Sequence, residues 1–429
     1  MKNRTRNIVV AAMAGVAVLA VAAVVIGRVT VEAGMPGIAK MIADNNVPGA
    51  VRALQSEYQF DNPAGLNALH QFAVLVLRQS LNQPDPFERC YVATSLVGNG
   101  DWSGRGAIDK ALNSSYFLVQ KAAIEGLAEA GTPEAIDVIE RFYHASGQDG
   151  QLMAIQGLSE IRSPMVKPLL IAAAKDPNSN LIVWSVNGLG HLGDPTALPY
   201  LRNVLAKSTD PMVRTEAAHS IILLGDSSGD MVAIIVKGLD TNNVQQASEA
   251  ALALGDVKAD NVVPTLKQYE TNERVNQRVR LAAAVALTNH NNSDGLPLLK
   301  SALIDEDSDR YLPPLLDHLD FTLGRPLLVG ALSSSNQVLR LAATEAIGRK
   351  GGVPEIVLLE QSTGKIDDPI EMAQVAWSLG RIGRPECIPI LLKMVQSPAP
   401  EVRDTAADAL ARTAAKLLGA NGQKFSSAG

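Results

Sequence analysis

The sequence predicts an all-α protein of about ten to eleven stacked helix pairs. Three observations predict it: a phrase recurring with a period of about 31 residues, Ala- and Leu-rich segments with helical spacing between the copies, and a lack of alternating β-branched runs. Gly193 opens "GDPTALPYLRNVL" and Gly383 opens "GRPECIPILLKMV", with Gly, both prolines and Leu in the same places. Arg162 and Asn291 open further copies, and the four share a proline at Pro168, Pro199, Pro297 and Pro389. The copy at Gly255 carries an insertion that moves its proline to Pro264.

In order, the anchors are Gly100, Gly131, Arg162, Gly193, Gly225, Gly255, Asn291, Gly351, Gly383 and Ala414. The interval from Asn291 to Gly351 spans two periods, so a degenerate copy is expected near Leu319. Each unit reads as two short amphipathic helices. In the first, Asp194 is the expected N-cap and Pro195 the first helical residue, where a missing N–H does no harm. Pro199 follows a turn later, and Leu198, Leu201 and Leu205 share one face. The second helix, Met212 to Leu224, is denser in Ala and aliphatic residues, as suits an element packed on several sides. Gly225 is expected to end it in a left-handed turn. Neither helix buries its face alone, so successive pairs must stack.

The phrase "LGDPTALPYL … DPMVRTEAAHSIILLGD" resembles the HEAT-like repeats named after the phycobilin lyases (PBS lyase type). That resemblance implies a right-handed α-α superhelix whose second helices line the concave side and meet protein partners. It does not imply lyase activity. It also implies a structural role for the series Arg214, Arg280, Arg340 and Arg403, each 11 residues before its anchor: such arginines bond acidic or carbonyl groups of an adjoining repeat. Metal-dependent hydroxylases built from similar repeats carry paired His-Glu dipeptides; here no His precedes Glu, and neither a metal nor any other cofactor is expected. "DEDSD", Asp305 to Asp309, has alternating carboxylates, but Arg310 and Leu316 occupy the positions where a calcium loop needs Gly and Glu.

The N-terminus is a different object. Residues 1–7 are basic, and Ile8 to Ile26 is a charge-free apolar run of ~28 Å as a helix, long enough to span a bilayer core. It reads as an uncleaved transmembrane signal anchor. The alternative is a signal peptide cut after Ala20-Val21-Ala22, giving a secreted soluble protein. The positive-inside rule places the repeats on the periplasmic, extracytoplasmic side of an inner (cytoplasmic) membrane in a single-pass arrangement. Residues 27–61 read as capping helices and linker, 62–418 as the solenoid, and 419–429, rich in Gly and Ser, as a flexible tail.

With 38 Lys+Arg against 44 Asp+Glu the chain is acidic and has no basic run, which argues against nucleic-acid binding. Cys90 and Cys387 fall in distant units and are expected as buried thiols rather than a disulfide. Trp184 and Trp377 fall in second helices, near the presumed concave side, and are the candidate protein-binding residues. No phosphate loop, nucleophile elbow or paired-carboxylate motif stands out. The reading is a membrane-tethered, non-catalytic scaffold or adaptor for an unidentified protein partner. The alternatives are a lyase-like or cofactor-handling enzyme and a structural subunit of a membrane complex.

Overall fold

The computed structural model describes residues 34–305, 310–364 and 366–426, with side chains to residue 419. Every regular element among them is helical. The chain divides into two compact units, one of Gln83–Glu355 and one of Met1–Asn82 with Ile356–Gly429.

In the unit Gln83–Glu355 first and second helices alternate as the period requires. Pro133–Ala145 packs on Gln148–Ser159, Leu198–Lys207 on Pro211–Leu223, and Gly229–Leu239 on Val244–Leu254. The second helices Gln148–Ser159, Ser179–His191 and Pro211–Leu223 lie side by side. The extreme case is Gln277–Asn289, where Leu281 through Leu287 are all fully buried. Only a helix with neighbours on every side can bury a continuous run of that kind, and the run's four alanines let those neighbours approach. Near Leu319 the second helix shrinks to one turn, Pro313–Leu316, which touches both Gln277–Asn289 and Gln337–Lys350. This is the degenerate copy.

The paired prolines act differently from expectation. Pro195–Ala197 is a separate 3-10 turn, capped by Asp194, whose side chain accepts the Thr196 N–H. The α-helix begins only at Leu198, so Pro199 sits in its first turn, where no intrahelical bond is lost. Pro168 and Pro297 repeat the arrangement behind the turns Pro164–Val166 and Ser293–Gly295. The second helix starts at Pro211 behind its cap Asp210.

Six anchors share one backbone state. Gly100, Gly131, Gly193, Gly225 and Gly383 have positive φ, and so does Asn291, at 55°. Asn is the side chain that tolerates this region best, which explains how it stands in for Gly. Arg162 and Gly255 are not among the positive-φ residues.

In the other unit, Val47–Glu57 packs on Pro63–Ser80, and Pro63–Ser80 packs along Pro400–Ser426, which also packs on Pro369–Ile382. The contact is sealed by a buried polar link. Ser80 Oγ donates to Asp404 Oδ1 at 2.7 Å and Arg403 Nε donates to the same oxygen at 3.0 Å. Asp404 is 0% exposed. Burial raises its pKa, against the pull of Arg403 and Ser80.

The expected single-pass inner-membrane placement is corrected: among the described residues no helix is long and apolar enough to cross a membrane. The longest, Pro400–Ser426, carries Glu401, Arg403, Asp404, Asp408, Arg412 and Lys416. The run Ile8 to Ile26 on which that expectation rested lies outside the described residues, as do residues 306–309 of the acidic turn.

Gly225→Ala is expected to lower stability by about 1 kcal/mol and Gly225→Asn by less, because no atom lies near its would-be Cβ and only the positive φ is strained. Ser80→Ala, which takes one donor from buried Asp404, should cost about 1–3 kcal/mol. Thermal and urea melts of the full chain check both.

Candidate functional site

A hydrogen-bonded row crosses three successive second helices of the unit Gln83–Glu355. It begins at His191, the last residue of Ser179–His191. His191 Nδ1 lies 3.0 Å from Asn187 Oδ1, and Asn187 Nδ2 donates to Glu216 Oε1 at 3.0 Å. Because Asn187 turns its amide nitrogen to the carboxylate, its oxygen faces the imidazole. His191 must therefore carry its proton on Nδ1, which leaves Nε2 as an acceptor. Glu216 Oε1 is 3.8 Å from His219 Nδ1, one turn further along Pro211–Leu223. His219 Nε2 in turn meets Asp256 Oδ2 at 3.1 Å, in the turn after Val244–Leu254.

The charges follow from these contacts. Burial pulls His219 down, but Asp256 and Glu216 outweigh it and raise its pKa to about 9. Burial pushes Glu216 up, and His219 with Asn187 more than reverses this, holding the carboxyl below its ordinary range. Asp256 is lowered for the same reason, against its own burial. His191 is held below its ordinary value by burial and then by Arg162, and His318 by burial. At neutral pH the row thus holds one imidazolium between two carboxylates, with neutral imidazoles beside it.

The row lies on a side where the ends of second helices converge. Asp256 and His219 both act electrostatically on His318, Asp256 also acts on Lys350, and Glu160 acts on Arg349 although the two are far apart in sequence. Lys350 Nζ donates to the Leu319 carbonyl at 2.9 Å and to the Asp317 carbonyl.

Of the residues singled out from sequence, Trp184 is half-buried in Ser179–His191, the helix that carries Asn187 and His191. Trp377 belongs to the other unit and is half-buried, with the Arg381 guanidinium 5.4 Å from its ring centroid. The arginine series bonds within its own units. Arg214 Nη1 donates to the Leu205 and Ser208 carbonyls, Arg280 Nε to Glu270, and Arg340 Nη1 to Ser334 and Ser335. Each staples the end of a first helix, or the turn after it, to the second helix. Arg403 instead joins Asp404 and Ser80.

Sequence reasoning missed two members of this series. Arg89 donates to the Gln83 and Pro84 carbonyls and Gln120 to that of Leu112, and both sit at the same offset from their anchors, Gly100 and Gly131. It also missed the ion pairs that link neighbouring units: Lys167 with Asp194 at 2.6 Å, Arg202 with Asp226 at 2.8 Å, Lys267 with Asp294, and Arg325 with Glu355 at 2.7 Å. The signal was an acid just after the anchor and a base in the preceding first helix.

Among the described residues no group of three His, Cys, Asp or Glu side chains could hold a metal ion. Cys90 and Cys387 are buried free thiols, and burial pushes Cys90 up to about 12, away from the nucleophilic thiolate.

The family model for HEAT repeats matches residues 144–222 and 358–419. The first matched stretch holds His191, Glu216 and His219, and Asp256 lies outside both. Among solved structures the chain is similar to one in the complex of CpcE and CpcF of phycocyanin lyase from Nostoc sp., at 18% identity over 58% of this chain and 94% of that one, with a TM-score of 0.36. It is also similar to human deoxyhypusine hydroxylase in complex with glycerol, at 18% identity over 65% of this chain and 96% of that one, with a TM-score of 0.27. Neither likeness bears on activity. No curated protein matches the chain.

The sign of the pH dependence follows from His219. Its folded pKa lies above the unfolded value, so its contribution is complete below about pH 6.5 and is lost as the pH climbs through about 9. The stability gap between the wild type and His219→Gln should therefore shrink by about 3 kcal/mol at most over that window. Urea unfolding at a series of pH values measures it, and a gap that does not change with pH would contradict the clamp.

Proposed function

We propose that the protein is a non-catalytic scaffold or adaptor that binds a partner protein along the converging face of its second helices. One observation carries the reading. Trp184, Asn187 and His191, then Glu216, then Glu249 are half-buried residues of three successive second helices, a row that continues from repeat to repeat. A surface of that form suits an extended protein segment better than a small molecule.

A second reading, a lyase-like or cofactor-handling enzyme, draws on the convergence of His191, His219, His318 and Asp256. Against it, His219 is already taken up by two carboxylates, and among the described residues no hydroxyl or thiol bonds to neutral His191 to form a nucleophile pair.

The test is site-specific crosslinking in the native source, with a photoreactive amino acid at position 184 or, as control, at exposed Glu134 on the first helix Pro133–Ala145. Position 184 should give a discrete protein adduct and position 134 none. No adduct from 184, or the same adducts from both, would count against the scaffold.

A further inference from the structure

The polar row lies toward the C-terminal ends of second helices. At the N-terminal ends of the first two second helices of the same unit lies apolar surface that nothing covers. Phe117 and Leu118 open the helix Phe117–Ala130 and are 54% and 63% exposed. Tyr116, its N-cap residue, makes no side-chain cap bond and is 72% exposed. Phe87, in the first turn of the neighbouring second helix Pro86–Gly98, is 42% exposed. Phe87 and Leu118 each stand 13 residues before their anchors, Gly100 and Gly131. The repeat therefore puts them at equivalent places on two helices that pack together, with axes about 8–10 Å apart. The four side chains form one patch.

A single exposed apolar residue needs no explanation, but a contiguous group does. The fold does not demand one here: the same register position carries Asp149 in the next second helix and Asn180 in the one after. With about 200 Å² for a fully exposed side chain of this size, the patch amounts to roughly 450 Å². That falls well short of the ~800 Å² per partner that a stable contact between two folded chains needs, and it suits one face of a short segment. Acids frame it, Asp85 and Glu88 on one side and Asp149 on the other. Among the described residues no cation pairs with Asp85 or Asp149. Of the cations on this edge, Arg89 donates to the Gln83 and Pro84 carbonyls, Lys121 pairs with Glu125 and Arg141 with Asp137, while Lys110 is unpaired.

We infer that this edge docks a short, basic, amphipathic segment of another protein. Its aliphatic or aromatic side chains lie on Phe87, Tyr116, Phe117 and Leu118, and its lysines or arginines meet Asp85, Glu88 and Asp149. Charge decides between the occupants an apolar patch can take. A second copy docked by twofold symmetry sets these acids against their own kind. An anionic lipid surface is repelled by them. A basic segment is attracted, and the net charge of −6 favours it at long range as well. The helices that the polar row ends are not the helices that this patch begins, so the assignment does not depend on the converging face.

The test uses the full-length protein and a fluorescein-labelled helical peptide with leucines at i, i+3, i+4 and i+7 and lysines elsewhere. In one control peptide glutamates replace the lysines, and in another serines replace the leucines. Fluorescence anisotropy should show the leucine–lysine peptide binding and each control at least about tenfold weaker. The double variant Phe117→Ser/Leu118→Ser should weaken the leucine–lysine peptide about tenfold, and Asp149→Asn about threefold. Ile304→Ser, which removes a highly exposed apolar side chain from a distant repeat, should leave binding unchanged. The melting temperatures of all three variants should not fall, since the side chains are exposed, so that loss of binding is not loss of fold. Failure of the leucine–lysine peptide to bind the wild type, equal binding of the glutamate control, or equal weakening by Ile304→Ser overturns the assignment. So does a dimer in sedimentation, or capture by anionic vesicles, that the double variant abolishes while peptide binding is absent. A crosslinked partner at position 184 with no effect of the double variant on the peptide leaves the scaffold standing without this edge. Peptide binding lost in the double variant, with no adduct at position 184, does the reverse.

Discussion

Every helix pair in this chain is left with apolar surface that only a neighbour can cover, and the rest of the structure depends on that constraint. It makes the second helices the most buried elements, to the point where Leu281 through Leu287 touch no solvent. It requires that each pair be launched in the same direction as the last, which at six of the anchors is the work of a left-handed residue after the second helix. The arginine staples then hold each pair together, and the ion pairs from first helix to following turn hold pair to pair. Arg202–Asp226 and Lys267–Asp294 are exposed enough that each contributes little by itself, whereas Glu355 of the Arg325 pair is buried.

Where the period holds, the fold was legible in the residues. Positive φ was readable at Gly225 because glycine is the residue that adopts it freely, and at Asn291 because asparagine is the next best. Arg89 obeyed the offset of the other arginines and was as readable as they were. What was not legible has a common cause. A 3-10 turn ahead of Leu198 differs from an ordinary helix start by a single hydrogen-bond register, which no spacing of prolines specifies. The pairing of Pro63–Ser80 with Pro400–Ser426 joins the two ends of the repeat array, with Ser80 and Asp404 324 residues apart, and a local period does not pair its ends.

The polar row was half legible. His191 and His219 stand out as histidines in second helices, yet nothing in their spacing announces Asp256, because that contact crosses from one repeat into the turn of the next. Electrostatically the row is self-contained around His219, while Glu249 beside it is not.

The link between Ser80 and Asp404 has a temporal side. A ribosome delivers the chain from its N-terminus, so Gln83–Glu355, a contiguous stretch, has all of its own partners before synthesis ends. Residues 63–80 do not. Leu66, Leu69, Phe72 and Leu77, all buried in the finished protein, meet Pro400–Ser426 only after nearly the whole chain has been made. Until then they form a sticky apolar face on the nascent polypeptide, and the last helix to emerge is the one that closes it.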